Sequence, residues 1–376
     1  CDGIADNGDP GGNAPCNSGP CGPGLTHCQD GALTCVPNQQ VTGCTAPPVV
    51  IITTPTDGSV AANPTVQVTG TLSAPATVTV GEVTATVNGL SFSATVPVHE
   101  GTNILTAAAK DAAGSTGVAS VTVLRDTTPP RLTILSPADN ATINGASVTV
   151  VGMVQDLLLG TVDAGDVTVT VNGVAAEVAN RGFRAMGVPV AKGAGTITVI
   201  ATDKGGNTAS ALLSVTGNQD AKAQILVESG DGQTAAVGTV LPQLFTAHVV
   251  NNAGAGVPGA SVTFTVTRGN GTFAGGARTV TIPSSGAGLA SVSFKLGTHA
   301  GAAMDLVEAR STGFVGTATF AAIASASPGP RKLQAINGLN QRVLVASASP
   351  LPLSILLTDS FGNPVANQSV TFTVLR

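Results

Sequence analysis

One hexapeptide occurs twice in this chain, and its spacing governs how the rest is read. Ser261-Val-Thr-Phe-Thr-Val266 returns 108 positions later as Ser369-Val-Thr-Phe-Thr-Val374. The same offset joins Gly230 to Gly338, Gln233 to Gln341, Pro242 to Pro350, Gly254 to Gly362 and Val257 to Val365, without a gap, and carries Arg268 onto Arg376. Self-similarity at a fixed offset marks repeated structural units, and 108 residues is the size of a whole domain. A second pair of copies lies upstream. Gly101, Thr106, Ala109, Asp111, Gly114, Thr116 and Val123 match Gly193, Thr198, Ala201, Asp203, Gly206, Thr208 and Val215, each 92 positions on. Thr54-Pro55 with Asp57 likewise returns as Ser136-Pro137 with Asp139. Val87-Asn88-Gly89 pairs with Val171-Asn172-Gly173, and Asn-Gly between alternating runs is a strong hairpin signal. The stiff segment Asp126-Thr-Thr-Pro-Pro130 separates these copies.

Within each copy the pattern is that of strands. Thr65-Val-Gln-Val-Thr69, Thr77-Val-Thr-Val80 and Thr84-Ala-Thr-Val87 alternate with period two, as half-buried strands do. Composition agrees: 47 Gly and 23 Pro punctuate a chain that is 43% hydrophobic but only 10% charged, against about 25% charged in an ordinary soluble domain. The reading is all-β: tandem Ig-like β-sandwiches in a linear array, preceded by a small disulfide-rich loop segment. Its divisions are residues 1–46, cysteine-rich; 47–128 and 129–217, Ig-like domains 1 and 2; 218–327, domain 3; and 328–376, the first half of domain 4. Domain 3 continues after Arg268 through Phe294 and Phe320 to about Ser325, whereas its copy stops at Arg376. The expectation is a fourth sandwich completed by further chain or by a strand from a neighbouring copy, which would make self-association through domain 4 a route to a filament.

All six cysteines, Cys1, Cys16, Cys21, Cys28, Cys35 and Cys44, fall in the first 44 residues. That segment has too few apolar side chains for a core, so disulfides are the expected staples, with 15 possible connectivities for three bonds. Zinc is the rival, but Cys16-x4-Cys21-x6-Cys28-x6-Cys35 lacks tight Cys-x2-Cys knuckles, and His27 is the nearby imidazole. Disulfides imply an extracellular or cell-surface location. Asp2, Asp6, Asn7 and Asp9 crowd oxygen ligands among glycines, as a hard cation such as Ca²⁺ requires; a solvated turn is the alternative reading. Beyond that Ca²⁺ the sequence calls for no cofactor.

These segments carry resemblances. Cys1-Asp2-Gly3-Ile4, Gly11-Gly12 and the run from Cys21-Gly22-Pro23-Gly24 to Thr34-Cys35 resemble cysteine-rich repeats, of metal-binding type, in large surface proteins of myxobacteria and related bacteria. Residues 49–216 resemble two bacterial Ig-like domains, on the opening that contains Pro55 and Asp57 and on the Ala-x-Asp-x-x-Gly turn at Asp111 and Asp203. Residues 222–376 resemble Ig-like repeats of the invasin/intimin type, carried by Gly230-Asp231-Gly232-Gln233-Thr234, Val257-Pro258-Gly259-Ala260-Ser261 and Phe361-Gly362-Asn363-Pro364-Val365. The resemblance implies sandwiches that serve as stalks or adhesins of a bacterial surface protein.

Catalysis needs clustered titratable groups, and the four histidines, His27, His99, His248 and His299, fall in different units. There is no Gly-x-Ser-x-Gly elbow, P-loop, His-Glu-x-x-His or dinucleotide fingerprint, so no catalytic residue is assigned. Asp111 and Asp203 are read as turn caps, with Ca²⁺ ligation the alternative, and Asp163 and Asp166 as loop residues that could join such a site. A net charge of −5 with no Trp or Tyr argues against nucleic acid. No apolar run approaches the ~18 residues of a membrane span. The expectation is a non-enzymatic stalk of a large extracellular bacterial protein, making protein–protein contacts. An adhesin module and a filament subunit are the alternatives.

Overall fold

The computed structural model describes residues 47–156, 165–220, 223–329, 331–339, 341 and 353–373, together with the strand backbone at 15–17, 23–29 and 32–37. The chain divides into two compact units, Cys1–Asp126 with Asn340–Pro352, and Thr127–Leu339 with Leu353–Arg376.

The cysteine-rich segment, expected as loops, contains an antiparallel sheet of β1 (Pro15–Asn17), β2 (Pro23–Gln29) and β3 (Ala32–Pro37). Thr26 stands opposite Cys35 and Cys28 opposite Leu33. The expected cation ligands Asp2, Asp6, Asn7 and Asp9, together with Cys1, Cys21 and Cys44, lie outside the described residues, as do the side chains of Cys16, Cys28 and Cys35.

The first sandwich follows in nine strands. They are β4 (Val50–Thr54), β5 (Ser59–Ala61), β6 (Thr65–Leu72), β7 (Thr77–Val80), β8 (Val83–Thr84), β9 (Thr86–Asn88), β10 (Ser91–Pro97), β11 (Gly101–Lys110) and β12 (Thr116–Arg125). One sheet runs β4-β6-β10-β9 and the other β5-β12-β11-β7-β8. The opening strand is split: β4 pairs antiparallel with β6, and after the cis Thr54-Pro55 bond β5 crosses to the other sheet and pairs parallel with β12. The alternation read from the sequence is the cause. Val78 and Val80 of β7 point inward while Thr77 and Thr79 face out, and each inward apolar side chain stabilises the fold by roughly 1.5–3 kcal/mol.

The second sandwich repeats this plan. Its strands are β13 (Arg131–Ser136), β14 (Ala141–Asn144), β15 (Ser147–Gln155), β16 (Val167–Val171), β17 (Val174–Ala175), β18 (Glu177–Ala179), β19 (Gly182–Pro189), β20 (Gly193–Asp203) and β21 (Thr208–Asn218). The sheets are β13-β15-β19-β18 and β14-β21-β20-β16-β17. In both sandwiches an inward ring lies on a glycine of the neighbouring strand: Phe92 on Gly70, and Phe183 on Gly152, where a Cβ would collide with the ring.

One sequence alignment is corrected here. Asn88-Gly89 leads the turn from β9 to β10, whereas Asn172-Gly173 joins β16 to β17. By register their structural counterparts are Ala179-Asn180 and Gly81-Glu82. Tight hairpins need positive φ, as at Asn172 (47°) and Gly173 (81°), so Asn-Gly recurs wherever such a turn occurs rather than only at equivalent ones.

The third sandwich has β22 (Gln224–Ser229), β23 (Thr234–Ala236), β24 (Phe245–Val250), β25 (Ser261–Arg268), β26 (Thr279–Pro283), β27 (Leu289–Val292), β28 (Gly301–Ser311) and β29 (Ala318–Ser325), in sheets β22-β24-β27 and β23-β29-β28-β25-β26. Phenylalanines fill its core: Phe245 stacks on Phe320 at 4.8 Å and on Phe294 at 5.3 Å between ring centres. Beyond it, β30 (Lys332–Asn337) and β31 (Ser354–Thr358) form a two-stranded antiparallel sheet.

Candidate functional site: the joints of the third sandwich

Five of the aspartates named in the sequence hold backbone. Asp111 accepts the Ser115 N–H at 2.8 Å and closes the β11–β12 hairpin; Asp203 accepts the Asn207 N–H at 2.8 Å and closes β20–β21. Both therefore cap turns, as expected. Asp57 and Asp139, just after the cis prolines, accept N–H groups of Thr122 and Ser214 on the last strands, at 2.7 and 3.0 Å. Asp231 does the same in the third sandwich, from Ala321 at 2.8 Å. Asp166 pairs with Lys204 at 2.8 Å, and Asp163 lies outside the described residues. Among the described residues the histidines are not brought together: His99 and His299 are exposed and His248 pairs with Glu228 at 3.2 Å, while the side chain of His27 is outside the described residues. Asp156 and Asp203, both buried, offer carboxylate oxygens within 4.8 Å of each other, and those of Asp203 already accept from Asn207.

The residues that sequence reasoning missed sit where the second sandwich meets the third. Strand β19 should alternate, yet Gly182, Phe183, Arg184 and Ala185 are all buried. Phe183 and Ala185 face their own core, while Gly182 and Arg184 face the third sandwich. A Cβ on Gly182 would run into the Ala302 carbonyl, so glycine permits this approach. An apolar cluster of Val151, Ala303, Leu306 and Ala321, with Leu135 against it, fills the contact. Asn180 donates to the Ala300 carbonyl, and Arg268 of the third sandwich reaches Met153 Sδ at 3.2 Å.

Arg184 is 1% exposed. Its Nη2 and Nε bond to Glu177 Oε2 at 2.6 and 3.2 Å, within the second sandwich. From the third sandwich it meets the Ala321 carbonyl at 3.2 Å, the Gly232 carbonyl at 3.5 Å and the Asp231 carboxylate at 3.6 Å. A Cβ on Gly232 would stand 2.6 Å from Nη1, so the Gly-Asp-Gly motif shapes the guanidinium's seat. Burial pushes the Asp231 carboxyl above its ordinary value, against the opposing pull of the Ala321 N–H and Arg184. A cleft of about 460 Å³ opens beside this joint, lined by Thr142, Asn144 and Thr149 on one side and Ile225, Arg310 and Thr319 on the other.

A second, polar joint ties in the turn after β31. Asp359 Oδ1 accepts the N–H groups of Phe361 and Asn363 at 2.8 and 2.9 Å, and Oδ2 accepts Ser327 N–H at 2.8 Å. Asn363 then reaches the third sandwich, accepting Ala300 N–H at 2.8 Å and donating to the Thr298 carbonyl at 2.9 Å. Burial raises the Asp359 carboxyl, but the bonds from Asn363, Ser327 and Phe361 outweigh it and hold the group below its ordinary value.

This architecture is that of a tandem array of Ig-like β-sandwiches, each with a split opening strand that pairs parallel with the last. Residues 48–127 and 130–219, the first two sandwiches, are each similar to the family described as Glucodextranase, domain B. Bacillopeptidase F of Bacillus subtilis (strain 168) is 37% identical over 128 residues, 34% of this chain and 8% of that protein, so the chain matches only a small part of its length. Solved structures that align include fibronectin(III)-like modules of Clostridium thermocellum CbhA (16% identity, TM-score 0.31, 46% of this chain and 95% of that one). A fragment of a 1.5-MDa bacterial ice-binding adhesin also aligns (19% identity, TM-score 0.28, 75% and 99%). With scores this low, neither structure carries an inference about this chain. No helix among the described residues is long and apolar enough to cross a membrane.

Proposed function

We propose that the chain is a non-enzymatic structural region of a large extracellular or cell-surface bacterial protein, one that spaces or presents other domains. The observation that carries this reading is how its acidic side chains are used. Asp57, Asp139 and Asp231 each fasten the switching strand of a sandwich to its last strand. Asp111, Asp203 and Asp359 close turns. A carboxylate bound to backbone N–H groups is held in place as an acceptor, which suits a scaffold rather than general acid–base work. Similarity of the first two sandwiches to a domain of glucodextranase fits a module that accompanies other parts.

The test is attachment. The purified chain, offered to bacterial and host cells and to matrix proteins by flow cytometry and surface plasmon resonance, is expected to show no saturable binding. Saturable attachment abolished by loop exchanges would overturn the spacer reading in favour of an adhesin.

A further inference from the structure

We infer that Arg184 is an interdomain clamp: it sets one relative orientation of the second and third sandwiches and makes them move as a single body. Apolar burial supplies attraction at this joint but little register, because the contact of Val151, Ala303, Leu306 and Ala321 is non-directional. The guanidinium supplies what they lack. Its donors lie in a fixed fork, and they meet acceptors of both sandwiches at once: Glu177 from one, and Ala321, Gly232 and Asp231 from the other. A buried ion pair contributes little net stability once its desolvation is counted. Any shifted docking, however, would strand a buried charge and two carbonyls without partners, and that penalty selects one geometry. Two glycines let the backbones close to this distance: Gly182 against the Ala302 carbonyl, and Gly301, whose Cβ would stand about 3.0 Å from the carbonyls of Ala179 and Asn180.

Arg184 is thus a positioning residue, and its signature is orientation rather than melting temperature. The decisive variant is Arg184→Met, which keeps the length and bulk of the side chain and removes the fork. The measurement is residual dipolar couplings of the full chain, fitted separately for residues 165–217 and 223–325. The unaltered protein should give one shared alignment tensor. R184M should give two different tensors while both sandwiches keep their amide dispersion. One shared tensor in R184M overturns the clamp, because apolar packing alone would then fix the joint. Should R184M fail to fold, Arg184→Ser decides by the same criterion, since the first sandwich carries Ser93 at this position and folds around it. Two tensors there support the clamp, and one shared tensor refutes it.

Discussion

Strands β10 and β19 occupy the same place in the first and second sandwiches, yet their surroundings differ. Strand β10 alternates, with Phe92, Ala94 and Val96 inward and Ser91, Thr95 and Pro97 exposed. In β19 the first four residues are buried on both faces. The inner faces are alike: Phe92 lies on Gly70 and Phe183 on Gly152. The outer faces are not. Thr69, Thr71, Ser91 and Ser93 of the first sandwich become Val151, Met153, Gly182 and Arg184 in the second. One face of each strand is thus dedicated to building a sandwich. The other is free to stay polar or to dock on a neighbour.

The largest effects should fall on the inner faces, and equally. Phe92→Ala and Phe183→Ala each remove a ring from a closed core, and each should cost about 3–5 kcal/mol in denaturant unfolding of its own sandwich. A much cheaper loss in either would break the equivalence. An outer-face substitution should separate the two. Gly182→Val forces a side chain into the Ala302 carbonyl and should cost roughly 1–3 kcal/mol, whereas Ser91→Val, at an exposed position, should change stability little. Comparing the two melting curves checks this.

The smallest effects concern pH, and the two joint aspartates should respond with opposite signs. The Asp231 carboxyl, facing Arg184 and Glu177, is raised above 3.8 by burial. Its contribution is therefore full below 3.8 and lost as pH rises through the raised value. The third sandwich should therefore gain modestly in stability on acidification, and Asp231→Asn should abolish that trend. Asp359 is lowered below 3.8 once its hydrogen bonds outweigh burial. Its contribution is present above 3.8 and lost as pH falls through the lowered value, so acid should loosen the second joint. Amide chemical shifts of Ala321 and Asn363 followed through a titration read both.

Much of the fold was legible in the sequence because period-two alternation and repeated turn signals are local. The strand pattern and the turn-capping roles of Asp111 and Asp203 follow from them. The joint was not legible, because alternation reports only the face that builds the sandwich. The available signal was the change from Thr and Ser to Val, Met, Gly and Arg on the other face, visible only once the two copies are aligned strand by strand. The repeated hexapeptide shows the limit most directly. In β25, Val262 and Phe264 are fully buried; their copies Val370 and Phe372 are 38% and 58% exposed. The residues are identical, and what differs is the neighbours. β25 lies between β26 and β28, whereas residues 369–373 form no strand. Burial belongs to the assembled sheet, not to the segment.

The central claim is that corresponding outer faces are open in the first sandwich and covered in the second. Carbene footprinting of the folded chain, read by mass spectrometry, tests it residue by residue. Labelling should be heavy on Thr71 and Ser91, lighter on the half-buried Thr69 and Ser93, and nearly absent on Val151, Gly182 and Arg184. Equal labelling of the two sets would mean that the second sandwich is as free as the first, and the joint described here would not exist in solution.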